Sequence, residues 1–106
     1  MEMTAVKSEE KLIVSLSGEI DHHSAKDIRD GIDRLIVENA PKILVMDLEG
    51  IDFMDSSGLG LVLGRYRQAK ELSCDMQIYT TNPRIKKILC FAGVDKLIRI
   101  IDKSPF

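Results

Sequence analysis

The chain has 106 residues, with 15 Lys and Arg against 17 Asp and Glu, for a net charge of −2. That length fits one domain of the usual ~100–150 residues, which disfavours an active site held in a cleft between two domains. Hydrophobic residues at 44% and charged residues at 30% describe an ordinary globular domain, and the near-even charge balance lacks the basic footprint of a nucleic-acid binder.

In chain order, Met3 to Val6 and Lys11 to Ser17 flank the polar Ser8-Glu9-Glu10 and predict a hairpin. In its second arm Leu12, Val14 and Leu16 alternate with polar or smaller residues, the period of a half-buried strand. Ser24 then stands before a helical pattern of Ala25, Ile28, Ile32, Leu35 and Ile36, with Asp27 three residues after this expected cap. Asn39 and Pro41 end that helix. Gly31 inside it costs ~1 kcal/mol relative to Ala and points to a close packing contact.

Ile43-Leu44-Val45-Met46 and Leu48 form an almost continuous apolar run, as expected of a central strand covered on both faces. A loop is expected to follow it, and then a helix whose stripe is Leu59, Val62, Leu63, Tyr66, Ala69 and Leu72. Asp75 to Thr80 reads as a strand with Met76, Ile78 and Thr80 on one side. Thr81 or Asn82 caps the next helix, Pro83 opens it, and Ile85, Ile88, Leu89 and Ala92 form its face. Gly93 stops it, and Leu97 to Ile101 is the last strand. The order β-β-α-β-α-β-α-β predicts an α/β domain over residues 1–106. Its mixed, mostly parallel sheet has about five strands and three helices, with room after the last strand for a very short fourth at most.

Cys74 and Cys90 stand far apart, and the histidines are the adjacent pair His22-His23, so neither a zinc-ligand spacing nor a disulfide framework is present. No metal or cofactor is expected. Met1-Glu2-Met3-Thr4 has no basic or apolar leader character, and no apolar run approaches the ~18 residues of a membrane span. The expectation is a reduced, cytoplasmic protein with no membrane contact.

The unusual segment is Asp52-Phe53-Met54-Asp55-Ser56-Ser57-Gly58-Leu59-Gly60, which delivers two serines to a helix N-terminus where free N–H groups and the dipole favour anions. Plain N-capping by Asp55, Ser56 or Ser57 accounts for the same residues. A phosphate-cradling loop fails in detail: Gly64 is followed by Arg65-Tyr66 rather than Lys-Ser/Thr, and G-x-G-x-x-x-G is one residue too long for a dinucleotide fingerprint. Gly60 and Gly64 are better explained by close approach of a neighbouring helix. A catalytic serine would need His22 or His23 as its base, yet the flanks are not a G-x-S-x-G elbow, so an enzyme is not expected. The two imidazoles read equally well as exposed residues near a helix start.

Gly18-Glu19-Ile20-Asp21-His22-His23, together with Phe53-Met54-Asp55-Ser56-Ser57-Gly58-Leu59-Gly60 and Leu63-Gly64-Arg65-Tyr66, resembles the anti-sigma factor antagonists of the STAS domain family, in particular their sporulation branch. The resemblance covers nearly the whole chain. It implies a non-enzymatic partner switch: the unphosphorylated protein binds an anti-sigma factor that is also a serine kinase, releasing a sigma factor of the sporulation sigma F type. Phosphorylation at Ser56 turns it off, and a metal-dependent serine phosphatase of the PPM type resets it. The partner-binding residues would be Asp21, His22, Asp55, Ser56, Ser57, Gly58 and Leu59. A general stress-response antagonist, or a STAS module that binds a nucleotide or small ligand, is the alternative. Family members usually carry one more C-terminal helix, for which Asp102 to Phe106 leaves little room.

Overall fold

A computed structural model describes residues 2–106. Strands β1 (Glu2–Ser8) and β2 (Lys11–Ile20) form the hairpin, followed by α1 (His22–Asn39), β3 (Ile43–Met54), α2 (Ser56–Glu71), β4 (Asp75–Tyr79), α3 (Pro83–Phe91), a 3-10 turn (Val94–Lys96) and β5 (Arg99–Ile101). The element order is the expected one. Asp102–Phe106 adds no further helix.

The sheet runs β1-β2-β3-β4-β5, with β1 antiparallel to β2 and the other pairs parallel. From β2 to β5 the strand order never reverses. Right-handed crossovers therefore place all three helices on one face. The core shows this arrangement: Leu12, Val14, Leu16, Leu44, Met46 and Leu48, one face by the two-residue period, pack with Ile32 and Ile36 of α1, Val62 of α2 and Leu89 of α3. Strand β3 is central as expected, but helices cover only one of its faces. On the other face Ile13 and Val45 are still buried, and Pro105 and Phe106 line a cleft there with Val6, Ile13 and Ile43.

Two helix expectations change. The N-cap of α1 is Asp21, three residues before Ser24, and the pair forms a capping box: Ser24 N–H donates to Asp21 Oδ1 at 2.9 Å and Asp21 N–H to Ser24 Oγ at 3.3 Å. On α2 the buried stripe is Gly58, Leu61, Val62, Arg65 and Ala69, while Leu59, Leu63 and Tyr66 are half-buried and Leu72 is exposed. The face turned because Gly58 lets the first turn settle on Met54 and Ile20. A Cβ at Gly58 would lie 2.5 Å from Met54 Cγ. Gly31 behaves as expected, since its Cβ would meet Met3 Cε at 2.8 Å.

The expected loop after Leu48 does not exist. Strand β3 continues to Met54 because β2 extends beside it to Ile20, with irregularities at Ser15/Ser17 and Gly18/Glu19. Gly50 and Gly18 permit this extension: a Cβ on Gly50 would lie 2.7 Å from Ser17 Cβ, and Gly18 has φ 98°. Beyond Asp47, β3 leaves β4, and Glu49 instead accepts from the backbone N–H of Thr81 and from Thr81 Oγ1, the latter at 2.6 Å. These bonds hold the Glu49 carboxyl below its ordinary range and pin the start of the β4–α3 connection. Asn82, not Thr81, caps α3. Its apolar face is Ile85 and Leu89 with Ile88 half-buried, while Ala92 is exposed at the C-cap. The last strand is shorter than the expected Leu97 to Ile101 because the N–H groups of Leu97 and Ile98 both donate back to Val94 O and close the 3-10 turn, leaving Arg99–Ile101 to pair with β4. Of the thiols, Cys74 is buried, which pushes its pKa up, and Cys90 is exposed.

Candidate functional site

Adjacent parallel strands end in register here, Ile20 opposite Met54, so the next residue of each, Asp21 and Asp55, begins a helix at the same end of the sheet. This brings Asp21 and His22 beside Asp55, Ser56, Ser57 and Gly58, although the two groups are far apart in sequence. Because the strand order does not reverse here, the end is an open surface rather than the crevice of a doubly wound sheet.

The helix-start geometry decides what the serines are free to do. Asp55 Oδ1 accepts from Ser57 N–H at 2.8 Å and from Gly58 N–H at 3.3 Å, so the carboxylate itself occupies the anion position of the α2 N-terminus. Ser56, the first residue of α2, is exposed, and Ser57 is half-buried. Neither hydroxyl has a hydrogen-bond partner among the described residues. The capping reading of this segment is therefore correct for Asp55 and leaves both serines out.

On the neighbouring helix, backbone and side-chain bonds from Ser24 hold the Asp21 carboxyl below its ordinary range. His22 and His23 are the first two residues of α1 rather than loop residues, both exposed, with ring centroids 6.1 Å apart in an edge arrangement. Neither is hydrogen-bonded to Ser56 or Ser57, so no nucleophile–base pair is formed. Leu59 is half-buried against the core, whereas Phe53, just before the site, is 51% exposed. The sequence expectation did not single out Phe53, although its place among Asp52, Asp55 and Ser56 is an apolar residue in a polar segment.

The glycines divide differently from expectation. Gly58 is the tightly packed one, while Gly60 and Gly64 have nothing within 4 Å of the position a Cβ would take. They do not bring a neighbouring helix close. With Ala25, Lys26, Arg29 and Arg65 they border an open cleft between α1 and α2. Arg65 is among the residues the sequence pattern missed: its side chain is 9% exposed and lies 2.8 Å from Asp33 Oδ1 through Nε. Burial lowers the Arg65 pKa, against the opposing pull of Asp33. Counting by threes and fours from Gly58 instead of Leu59 would have placed Arg65 on the inward face.

A family model for the STAS domain matches residues 2–105. The chain belongs to the STAS domain family. An anti-sigma F factor antagonist of Paenibacillus polymyxa is 38% identical over 93 residues, spanning 88% of this chain and 80% of that protein. The solved structure of the anti-sigma factor antagonist SpoIIAA in its unphosphorylated form is similar with a TM-score of 0.80 at 29% identity, over 96% of this chain and 90% of that one. Its phosphorylated form, a Bacillus cell fate determinant, matches with a TM-score of 0.73 at 29% identity, over 96% of this chain and 93% of that one. STAS relatives named for antagonising another factor, not for a reaction, place the chain with regulatory binding proteins. No helix among the described residues is long and apolar enough to cross a membrane.

Proposed function

We propose that this STAS domain is a cytoplasmic anti-sigma factor antagonist of the sporulation sigma F type. Unphosphorylated, it binds an anti-sigma factor that is also a serine kinase and so frees the sigma factor. The same kinase phosphorylates Ser56, and a metal-dependent serine phosphatase reverses this.

The observation that carries the reading is the unengaged Ser56 hydroxyl, exposed at the first residue of α2 while Asp55 does the capping. A kinase can reach that oxygen without breaking any hydrogen bond of the helix start. Phosphorylation adds about −1.5 to −2 charges next to the Asp55 carboxylate, with Asp21 on the neighbouring helix start. The helix dipole tolerates the new charge, so the fold survives, but a surface complementary to a neutral hydroxyl does not. Relatives described as anti-sigma F factor antagonists, and the existence of a phosphorylated SpoIIAA structure, support the same reading.

The decisive measurement is mass spectrometry of the protein after incubation with the cognate anti-sigma kinase and ATP. Ser56→Ala should abolish phosphate incorporation, and Ser57→Ala should not; the reverse result moves the acceptor to Ser57. Ser56→Asp should bind the partner weakly yet melt close to the parent, since a carboxylate at a helix start is worth ~0.3–1 kcal/mol in its favour. A large fall in melting temperature would make the switch conformational rather than local.

A further inference from the structure

The cleft between α1 and α2 has a volume of about 410 Å³ and shares His22 and Ser57 with the proposed docking surface. Its other lining residues include Lys26, Arg29 and Arg65 but no carboxylate. Lys26 forms no ion pair among the described residues, and Arg29 is tied only to Asp30, at 3.3 Å on the exposed surface. Arg65 is the buried member. Its Nε approaches Asp33 Oδ1 as an ion pair but off the N–H axis, so neither atom gains a directed hydrogen bond. Its remaining N–H groups also lack an acceptor among the described residues.

Gly60 and Gly64 leave the α2 wall of this open cleft without side chains. A glycine inside a helix lowers helix stability, and here neither position gains a packing contact in return, since a Cβ at either would meet nothing within 4 Å. The space they leave is unfilled by this chain. We infer that the cleft receives an acidic side chain of the protein that docks at Ser56, so that the docking surface runs from the paired helix starts along the seam of α1 and α2. The inference rests on the proposed antagonist function and adds the chemistry of its partner.

A carboxylate suits this cleft because arginine presents planar, paired N–H donors, of which Asp33 engages only the Nε side of Arg65. Lys26, with no ion pair among the described residues, adds charge, while Arg29 is paired only with the exposed Asp30 outside the lining. At the other end of the surface the exposed Asp21 carboxylate calls for a basic group. The partner must therefore offer a basic and an acidic group in a fixed order, which sets orientation and rejects partners with the charges exchanged. The cleft also supplies contact area that one helix start cannot, given that a stable interface needs roughly 800 Å² per partner.

Calorimetric binding to the purified anti-sigma partner tests the inference. Gly64→Leu projects a side chain into the cleft while improving helix propensity, so it should melt at or above the parent and bind at least about tenfold more weakly. Gly64→Ala, which leaves most of the space open, should melt higher and bind within about twofold of the parent. Lys26→Glu and Arg29→Glu should each weaken binding by about tenfold or more and make it less sensitive to salt. If the parent itself fails to bind, the antagonist function falls and this inference with it. If the parent binds and Gly64→Leu binds equally well, the cleft is not part of the interface, although the function stands. If Gly64→Leu weakens binding but the charge reversals do not, the occupant is not acidic.

Discussion

Helices α1 and α2 start side by side on capping aspartates, yet their first-turn serines have opposite fates. In α1, Ser24 is the third residue and its hydroxyl is held within the capping box by Asp21, 3.0 Å from Oδ1. In α2 the third residue is Gly58, which has no side chain to return, so Asp55 satisfies two N–H groups unaided and Ser56 and Ser57 keep free hydroxyls. The α1 serine is tied into its cap, whereas the two serines of α2 stay outside theirs. The difference comes from one close approach: a Cβ at Gly58 would lie 2.5 Å from Met54 Cγ, so a side chain there requires Met54 to move.

The largest effect is expected where that close approach is obstructed. Gly58→Ala forces a Cβ into Met54, and overpacking of this kind costs ~1–3 kcal/mol, whereas Gly64→Ala gains up to ~1 kcal/mol of helix propensity with no clash. Thermal melts of the two variants should therefore move in opposite directions. Equal shifts would mean that Met54 yields freely and that the start of α2 is not fixed by packing.

Next come the caps. Asp55→Ala should lower stability by ~1 kcal/mol, since two N–H groups lose their acceptor and Ser56 and Ser57 are not placed to replace it. Denaturant unfolding measures it, and an unchanged midpoint would show a serine taking over the cap. Asp21→Ala should weaken partner binding, and because Asp21 also caps α1 its melting temperature should fall as well. Ser24→Ala separates the two roles: it loosens the same cap but should leave binding and phosphate incorporation unchanged.

The smallest effect is in the pH profile. The folded-state pKa of Asp21 is depressed by its bonds to Ser24, so its contribution to stability is present above the unfolded carboxylate value of ~3.9 and is lost as pH falls through the folded value. Asp21→Asn retains a capping side chain but cannot titrate. Its melting temperature should accordingly decline less steeply than the parent's below about pH 4. Identical acid limbs would assign the loss to other carboxylates, of which Glu49, held by Thr81, is the first candidate.

The hydrophobic periods were enough to order every strand and helix, because each element buries a stripe whose spacing its own backbone dictates. The sequence also marked the Asp55-Ser56-Ser57-Gly58 segment as a helix start with more polar side chains than one cap can use. The boundaries were less legible. Strand β3 outran its apolar run because β2 hydrogen-bonds to it through Gly18 and Gly50, and the cap of α1 moved from Ser24 to Asp21 because β2 carries the chain to Ile20. Which glycine packs and which leaves space was decided only in three dimensions: Gly58 meets Met54 from the preceding strand, while Gly60 and Gly64 face a gap between two helices. Likewise, nothing local to Arg65 names Asp33 as its partner, since a buried charge takes whatever counter-charge the neighbouring helix brings within reach. Periodicity reports which face of an element is inward; what that face meets depends on residues distant in the chain, and the register of β2 against β3 sets Asp21 beside Ser56.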